Sequence, residues 1–254
     1  MTAERLKEKY RSFLKDNLRK KVDFSQTDQF RAIPPPPVEK PPKANALTID
    51  LTGPETGWPG LPAVDLKTAI ARRVSRRRFS NKPLSLEELS FLLWATQGIR
   101  DNPRTARVFR TVPSAGCRHA LETYLALFRV RGLEEGLYRY LPLSHQLVLE
   151  HTPEQLEDRV IEAALGQTFI GRTAVTFIWT TIPYRMEWRY GLASYKVIAL
   201  DAGHICQNLY LACEAIGAGT CAVAAYDQNK ADRLLRVDGT EEFVIYMAPV
   251  GRYS

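Results

Sequence analysis

Five of the seven residues from Arg72 to Arg78 are arginines, and Ser75 lies among them. If a helix continues through this basic segment, Arg73 and Arg77 lie four residues apart on one face. Two guanidinium forks and the Ser75 hydroxyl group suit the acceptor oxygens of a phosphate. A solvated basic face and a nucleic-acid patch are alternative interpretations, but the segment has no interleaved aromatic residues and matches no known nucleic-acid module.

A second candidate site is a turn of small residues, Pro113, Ser114, Ala115 and Gly116. Such a turn leaves backbone N–H groups uncovered by bulky side chains, which suits the close approach of a flat ring system or an oxyanion. An ordinary turn explains the same residues equally well. Cys117 and His119 follow the turn, but residues two apart are poorly spaced for a nucleophilic dyad.

A third candidate site is formed by Gly217, Ala218 and Gly219, which begin a G-x-G-x-x-A pattern. The dinucleotide-binding fingerprint needs a strand before the first glycine and a helix after the last. Here a long predicted helix precedes the glycines and a predicted strand follows them, so we reject that interpretation. A glycine turn at a helix end remains, and its backbone N–H groups could face a ligand.

No metal site is predicted. His204 and Asp201 are three residues apart on one predicted helix, but the sequence offers no matching second pair of ligands, so a hydrogen-bonded core histidine is the favoured interpretation. The four cysteines form neither a C-x-x-C motif nor a disulfide framework, and we interpret them as small buried hydrophobic residues. The sequence also lacks P-loop, G-x-S-x-G and H-E-x-x-H motifs.

Composition and charge indicate a soluble globular protein. The 254 residues are 45% hydrophobic and 25% charged, and their formal net charge of +7 at pH 7 favours an anionic partner. No run approaches the roughly 20 apolar residues of a membrane-spanning helix, and the first residues do not resemble a signal peptide. We therefore expect a cytoplasmic protein without a membrane partner.

Two regions are predicted along the chain. Residues 1–60 combine an amphipathic helix over residues 1–21 with a proline-rich arm, in which six of the sixteen prolines fall between Pro34 and Pro42. The helix is expected to dock on the domain or on a second subunit. The arm is expected to be a simple tether or to wrap a partner subunit. Residues 61–254 form the main domain.

The main domain mixes helical and strand-like patterns and is assigned to the α+β class. Asp65 and Asp227 are candidate helix N-caps, and capping boxes at Ser85–Glu88 and Thr152–Gln155 begin two further helices. Strands are predicted over 123–130, 174–182, 220–225 and 243–247, with a hairpin within 136–149. The segment 195–216 is predicted to be a helix that is apolar nearly all round and must be enclosed, in part by a second subunit.

Together and in this order, these fragments resemble the nitroreductase superfamily of FMN-dependent oxidoreductases. The resemblance rests on R-x-S-x-R-x-F from Arg73 to Phe79, the P-S-A-G turn, the long helix ending in G-x-G, and V-G-R from Val250 to Arg252. More narrowly, the sequences of four segments resemble the SagB-type dehydrogenase branch: 93–98, 110–116, 136–140 and 201–209.

The resemblance implies a nitroreductase-like fold, with a central mixed or antiparallel sheet flanked by helices, in an intertwined homodimer that binds FMN at its interface. Arg73, Ser75, Arg77 and Arg252 would hold the phosphate or ribityl end of FMN, and Gly251 belongs to the same cofactor site. The turns Pro113–Gly116 and Gly217–Gly219 would approach the isoalloxazine ring. NAD(P)H is the expected electron donor.

One departure from the resemblance bears on the reaction. Azoline oxidases of the SagB-type branch carry a Lys-Tyr pair ahead of the long helix, whereas this sequence has Arg189 and Tyr190. Arginine is not deprotonated in proteins and cannot act as a base, so Tyr190 is the candidate catalytic residue. We expect an FMN-dependent oxidoreductase that transfers hydride through flavin N5 between NAD(P)H and a small organic acceptor.

Two alternative functions remain open at this point. The first is an azoline dehydrogenase that acts on thiazoline or oxazoline rings of a modified-peptide substrate. The second belongs to another class, a basic nucleic-acid-binding module without flavin. The favoured interpretation predicts no nucleic-acid partner, and the presence of flavin in the purified protein separates it from the binding module.

Overall fold

A computed structural model describes residues 2–100 and 108–253 of the chain. Within them the α+β prediction is confirmed. The helices are α1 (Ala3–Leu14), α2 (Leu66–Arg72), α3 (Leu86–Gln97), α4 (Leu156–Ala163), α5 (Tyr184–Tyr190), α6 (Ser194–Ala215) and α7 (Gln228–Leu235). The strands are β1 (Thr48–Asp50), β2 (Ile99–Arg100), β3 (Phe109–Arg110), β4 (Leu121–Leu127), β5 (Gly136–Leu141), β6 (Gln146–His151), β7 (Val175–Thr181), β8 (Gly219–Thr220) and β9 (Phe243–Gly251).

Seven of these strands form one sheet in the order β1-β6-β5-β4-β7-β9-β8. All of the neighbouring strands in this order are antiparallel. Every residue of β4 and β7 is buried. For β7 this is what the continuous β-branched and aromatic run 174–182 predicts, because such a run is typical of a strand covered on both faces. The two strands β2 and β3 form a separate short ladder.

Helices cover both faces of the sheet. One buried cluster contains Leu92 of α3, Phe177 of β7 and Leu209 of α6. A second cluster contains Val160 of α4 and Ile178 of β7, together with residues of α7. Because successive strand residues point to opposite faces, the neighbours Phe177 and Ile178 belong to the two different layers of the core.

Local capping signals set most helix starts. The Ser85 hydroxyl accepts the N–H of Glu88, and the Glu88 carboxylate accepts the N–H of Ser85, so the capping box of α3 is confirmed. Asp65 and Asp227 cap α2 and α7 as predicted. The box predicted at Thr152–Gln155 is wrong, because Gln155 adopts a left-handed conformation with φ of 53° and α4 begins only after it.

The described part of the chain encloses α6 on one side and leaves the opposite side exposed. Ile198, Ala202, Ile205 and Leu209 are buried against the domain. An opposite stripe of the helix is exposed in the single chain, and its members are Ala199, Leu200, Gly203, His204 and Gln207. The stripe follows the spacing of one helix face, so α6 presents a continuous, largely uncharged surface to the solvent.

The proline-rich arm lies on the sheet of its own chain. The backbone N–H of Lys40 donates to Glu122 Oε1 at 2.8 Å, and its carbonyl accepts from Arg139 Nη1 at 2.6 Å. Glu122 also accepts from Arg185 Nη2 at 2.6 Å, and all three of these charged side chains are buried. The arm therefore covers an internal charge cluster, whose groups need such partners because burial removes their hydration.

The rest of the region 1–60 has two contrasting parts. β1 pairs with β6 at the edge of the sheet, and Trp58 packs against the rings of Phe91 and Trp94. The helix α1 has no buried residue, and its apolar side chains Tyr10, Phe13 and Leu14 are exposed in the single chain.

Candidate functional site

The basic segment is not helical. α2 ends at Arg72, and Ser75 forms a parallel bridge to Thr220, so the prediction that a helix continues through Arg77 is wrong. Alternate residues share a side in an extended segment. Arg73, Ser75 and Arg77 therefore share a side through a two-residue repeat instead of a helical turn.

Tyr210 of α6 organises this side of the basic segment. Its hydroxyl group lies 2.9 Å from Ser75 Oγ and accepts the backbone N–H of Ala222 at 2.8 Å. The guanidinium carbon of Arg73 lies 5.5 Å from the centre of the Tyr210 ring, within the range of a cation–π contact. One tyrosine thus connects the basic segment to the chain that follows β8.

The glycine turn Gly217–Gly219 also lies against arginine side chains. A Cβ on Gly219 would lie 2.4 Å from Arg76 Cδ, so only glycine leaves room for that side chain. A Cβ on Gly217 would lie 3.3 Å from Arg252 Nη1. Arg76 Nε and Thr220 Oγ1 are buried polar atoms that find no hydrogen-bond partner within residues 2–100 and 108–253, and such atoms are uncommon unless a ligand or solvent completes them.

Arg252 is anchored from two sides. Its guanidinium group donates to the carbonyl of Ile216, at the end of α6, and to the Glu88 carboxylate of the α3 capping box. The backbone carbonyl of Arg252 accepts the N–H of Ser80 at 2.7 Å. The V-G-R segment therefore joins α3, α6 and the strand end at one place, and part of the charge of Arg252 is neutralised by Glu88.

The other basic groups of this cluster are not neutralised. Arg73, Arg76, Arg77 and Arg78 have no carboxylate within 4.0 Å among residues 2–100 and 108–253. The guanidinium carbon of Arg76 lies 3.6 Å from the centre of the Tyr253 ring. Ser75 and Arg77 are exposed. Arg73 and Arg77, on the same side of the segment as the Ser75 hydroxyl group, give this side the chemistry of an anion-binding surface.

The Pro113–Gly116 turn is held at a second place. The backbone N–H of Ala115 donates to Asp201 Oδ2 of α6 at 3.3 Å, and the N–H of His119 donates to Ser114 Oγ at 3.0 Å. Burial raises the pKa of Asp201, and the hydrogen bonds from Ser114 and Ala115 oppose that rise. Burial, with help from Arg110, lowers the pKa of His119 to about 3, so the imidazole is neutral near pH 7.

Gly116 brings the predicted catalytic residue to this turn. It has φ of 60°, and an added Cβ would lie 2.7 Å from Arg189 Cδ and 2.8 Å from Tyr190 Oη. Arg189 and Tyr190 are the last two residues of α5. The end of α5 is therefore in direct contact with the small-residue turn.

The predicted site residues thus form two groups along α6. Asp201 holds the Pro113–Gly116 turn, whereas Tyr210 holds the basic segment. The two residues are nine positions apart, about 13.5 Å along the helix axis and two and a half turns around it. They therefore face opposite sides of α6, and the Gly217–Gly219 turn joins the arginines and not the Pro113–Gly116 turn.

No pattern in the sequence indicates the long-range contacts of several residues at this site. Tyr210, Arg76 and Glu88 connect the basic segment, the glycine turn and Arg252, and their sequence neighbours gave no sign of these contacts. The sequence indicates Asp201 as half of a possible metal pair and as the first residue of a segment that resembles the SagB-type branch, but not as a partner of the Pro113–Gly116 turn. A carboxylate within an otherwise apolar helix face was a usable signal, because a buried carboxylate needs hydrogen-bond donors.

Comparison with known proteins identifies the fold. Residues 70–252 match the family model described as Nitroreductase family. The chain belongs to the nitroreductase family. A candidate nitroreductase of Methanocaldococcus jannaschii, MJ1384, is 34% identical over 198 residues, covering 78% of this chain and 96% of that protein.

Solved nitroreductase structures agree. A candidate nitroreductase from Ralstonia eutropha JMP134 has a TM-score of 0.68 and 25% identity, over 87% of this chain and 99% of that one. The same fold occurs in the E. coli microcin synthetase McbBCD complex with truncated pro-MccB17 bound, with a TM-score of 0.61 and 19% identity over 91% of this chain and 89% of that one. The predicted nitroreductase-like fold is confirmed.

Membership of the nitroreductase family makes the chain an oxidoreductase, as predicted. Proteins of this family generally use FMN with NAD(P)H as donor, and they are generally dimeric. The matched span contains the basic segment, both small-residue turns and Arg252, whereas residues 1–69 lie outside it.

Other expectations have mixed outcomes. His204 is not the buried histidine predicted, because half of its side chain is exposed and its Nδ1 lies 4.0 Å from Asp201 Oδ1. Cys206, Cys213 and Cys221 are buried as predicted, whereas Cys117 is half-buried. Within the described parts of the chain, no three His, Cys, Asp or Glu side chains are grouped to hold a metal ion, and no helix is long and apolar enough to span a membrane.

Proposed function

We propose that this nitroreductase-family chain is an FMN-dependent oxidoreductase that works as a homodimer and passes hydride from NAD(P)H to a small organic acceptor. The observation that carries the proposal is the cluster of Arg73, Ser75 and Arg76 with Tyr210 and Thr220. The cluster has the charge and the hydroxyl group that an anion site needs, and it lies within the matched span of a family that generally uses FMN.

The residues of the cluster fit the phosphate end of FMN. Arg73, Ser75 and Arg77 share one side of the basic segment, and their charges have no carboxylate partner among the described residues. Arg76 Nε and Thr220 Oγ1, which have no hydrogen-bond partner among residues 2–100 and 108–253, supply further polar groups beside the Gly217–Gly219 turn. Arg252 would contribute less charge than the other arginines, because Glu88 already binds it.

The Pro113–Gly116 turn fits the ring end of the cofactor. Ser114, Ala115 and Gly116 have no bulky side chain, and Asp201 fixes the turn from behind. When bound, FMN supplies the hydride chemistry, and the protein supplies binding, orientation and electrostatics. The donor is oxidised to NAD(P)⁺, and the acceptor gains a hydride and a proton.

We assign to Tyr190 the transfer of that proton at the substrate atom. A phenol can donate a proton and recover it from solvent, whereas arginine, the residue type at the neighbouring position 189, cannot act as a base in proteins. The contact of Tyr190 Oη with the Gly116 position supports this assignment, because it brings the phenol to the turn that we assign to the ring.

A second copy of the chain explains how the two groups act together. The basic cluster and the small-residue turn lie on opposite sides of α6 within one chain, while the exposed stripe Ala199, Leu200, Gly203, His204 and Gln207 lies between them around the helix. Pairing two α6 stripes in a homodimer would cover this surface. The turn of one protomer would then meet the basic cluster of its partner.

The azoline dehydrogenase of modified peptides is the second candidate. Two observations favour the azoline dehydrogenase: the similarity in fold to the McbBCD complex and the sequence segments that resemble the SagB-type branch. Arg189 argues against it, because it stands where a lysine base is expected from that resemblance. We therefore place the reductase first, and a thiazoline-containing peptide belongs in the panel of substrates to be tested.

Purification tests the proposal directly. The expected protein shows the visible absorbance bands of a flavin, contains about one FMN per chain after reconstitution, and runs as a dimer in light scattering. It oxidises NADH or NADPH when an organic acceptor is present. A colourless protein that takes up no added FMN, and instead binds nucleic acid with a steep salt dependence, would overturn the proposal.

A further inference from the structure

A cavity lies between the end of α5 and the N-terminal segment 24–30. Its volume is about 500 Å³, within the size range of small-molecule sites. Its lining consists of Phe24, Thr27, Gln29, Phe30, Arg189 and Tyr190. Arg189 and Tyr190 are the two residues that contact the Gly116 position, so the cavity adjoins the turn assigned above to the flavin ring.

The N-terminal wall of the cavity is docked on α5. The N–H of Gln29 donates to the carbonyl of Trp188 at 2.9 Å, and the Trp188 indole N–H donates to the carbonyl of Ile33 at 2.9 Å. The Tyr184 hydroxyl donates to Asp28 Oδ2 at 2.8 Å. These bonds fix the segment that carries Phe24 and Phe30 over the last turns of α5.

The lining combines aromatic rings with one cation. Three of its six side chains are aromatic, two are neutral and polar, and none is acidic. Arg189 is half-buried and has no carboxylate within 4.0 Å among residues 2–100 and 108–253. A guanidinium fork of this kind pairs well with a carboxylate, and a flat aromatic ring suits walls of Phe and Tyr.

We propose that this cavity binds the organic substrate and selects a planar aromatic compound that carries a carboxylate. Arg189 binds the carboxylate, and Phe24 and Phe30 contact the ring. This inference rests on the proposed function, which places the reaction at the Pro113–Gly116 turn. Both phenylalanines lie outside the span 70–252 that matches the family, so the specificity belongs to this chain's own N-terminal segment.

Binding without turnover tests the inference. Calorimetry on the FMN-loaded protein compares 4-nitrobenzoate with 4-nitrobenzamide, which has nearly the same shape and no charge. We expect the carboxylate to bind at least tenfold more tightly. Equal affinities, or no binding of 4-nitrobenzoate, would overturn the inference.

Substitutions locate the charge and the walls. Arg189→Gln should abolish the preference for the carboxylate, while Arg189→Lys should retain part of it. Phe30→Ala should weaken the binding of both compounds and keep the preference for the carboxylate. Phe30 is 72% exposed, so this change should not disturb folding. Arg172→Gln, on an exposed ion pair with Glu157 outside the cavity, is the matched control and should behave as wild type.

The FMN content of each sample separates the two proposals. A protein that binds FMN but does not discriminate between the probes contradicts only the substrate inference. A protein that does not bind FMN contradicts the proposed function. If Arg189→Gln has the melting temperature of the wild type and still prefers 4-nitrobenzoate, the role of Arg189 is contradicted.

Discussion

A Cβ atom on Gly116 would lie 2.8 Å from the hydroxyl oxygen of Tyr190, closer than real Cβ contacts allow. The phenol therefore occupies the space that any other residue at position 116 would need. Because Gly116 also has φ of 60°, the turn depends on glycine for both its backbone and its neighbour.

Gly116→Ala should impair both stability and turnover. The left-handed conformation should cost roughly 1–2 kcal/mol of unfolding free energy, and displacement of Tyr190 should lower the rate of acceptor reduction. Urea denaturation and steady-state rates measure the two effects.

Gly132→Ala is the control for that substitution. Gly132 has φ of 84° but nothing within 4 Å of an added Cβ, so this variant carries the backbone strain alone. It should lose stability and keep turnover. Equal losses of turnover in both variants would contradict the role given to the Tyr190 contact.

Arg77→Ala should weaken FMN retention by about 1.5–3 kcal/mol, typical of a charge-assisted contact. Arg77 shares a side of the basic segment with Arg73 and Ser75, and it is exposed, so the unfolding free energy of the apoprotein should not change. Arg78→Ala, on the other side of the extended segment, should change FMN retention little. Fluorescence titration with FMN measures both.

Arg252→Ala should differ from Arg77→Ala in two respects. It should weaken FMN retention by less, because Glu88 already neutralises part of its charge, and it should destabilise the apoprotein, because Glu88 and the Ile216 carbonyl lose their donor. Equal losses of FMN affinity at positions 77, 78 and 252 would refute the assignment of the phosphate site.

Glu122→Gln should destabilise the fold by about 3–5 kcal/mol, because Arg185 would remain buried beside a neutral group, while Arg139 would keep its ion pair with Glu150. The arm should loosen as well, since Lys40 donates to the same carboxylate. Denaturant unfolding and proteolysis of the arm test this. Glu162→Gln removes an exposed pair with Lys230 and should have little effect.

Acidification should destabilise the protein through His119. Its pKa is lowered to about 3 in the fold, mainly by burial, whereas an unfolded histidine takes up a proton near pH 6.5. The stabilisation is therefore present above pH 6.5 and is lost towards pH 3, by up to about 1.4 kcal/mol per pH unit. His119→Gln should flatten the difference in unfolding free energy between pH 7.5 and pH 5. Parallel profiles would contradict it.

The sequence predicted those features that depend on neighbouring residues. The caps at Asp65, Ser85 and Asp227 are formed within three positions of the chain, so their residue types suffice to identify them. Gln155 shows the limit of such local patterns. Thr152–Gln155 has the residue types of a capping box, but Gln155 adopts a left-handed conformation, and α4 begins only at Leu156.

Contacts between distant parts of the chain are not encoded in such local patterns. The Ser75–Tyr210 hydrogen bond joins residues 135 positions apart, and the placement of the proline-rich arm depends on Glu122, 82 positions from Lys40. No periodicity in the sequence encodes such pairs. Helix geometry alone places Asp201 and Tyr210 on opposite sides of α6. It does not tell which segments of the chain these two side chains contact.

The cavity wall formed by Phe24 and Phe30 has a practical consequence for engineering. The groups that we assign to the cofactor all lie after residue 70, whereas this wall is one short segment, residues 24–30, outside that region. Exchanging that piece between relatives should retune which compounds are accepted while the flavin chemistry is inherited unchanged.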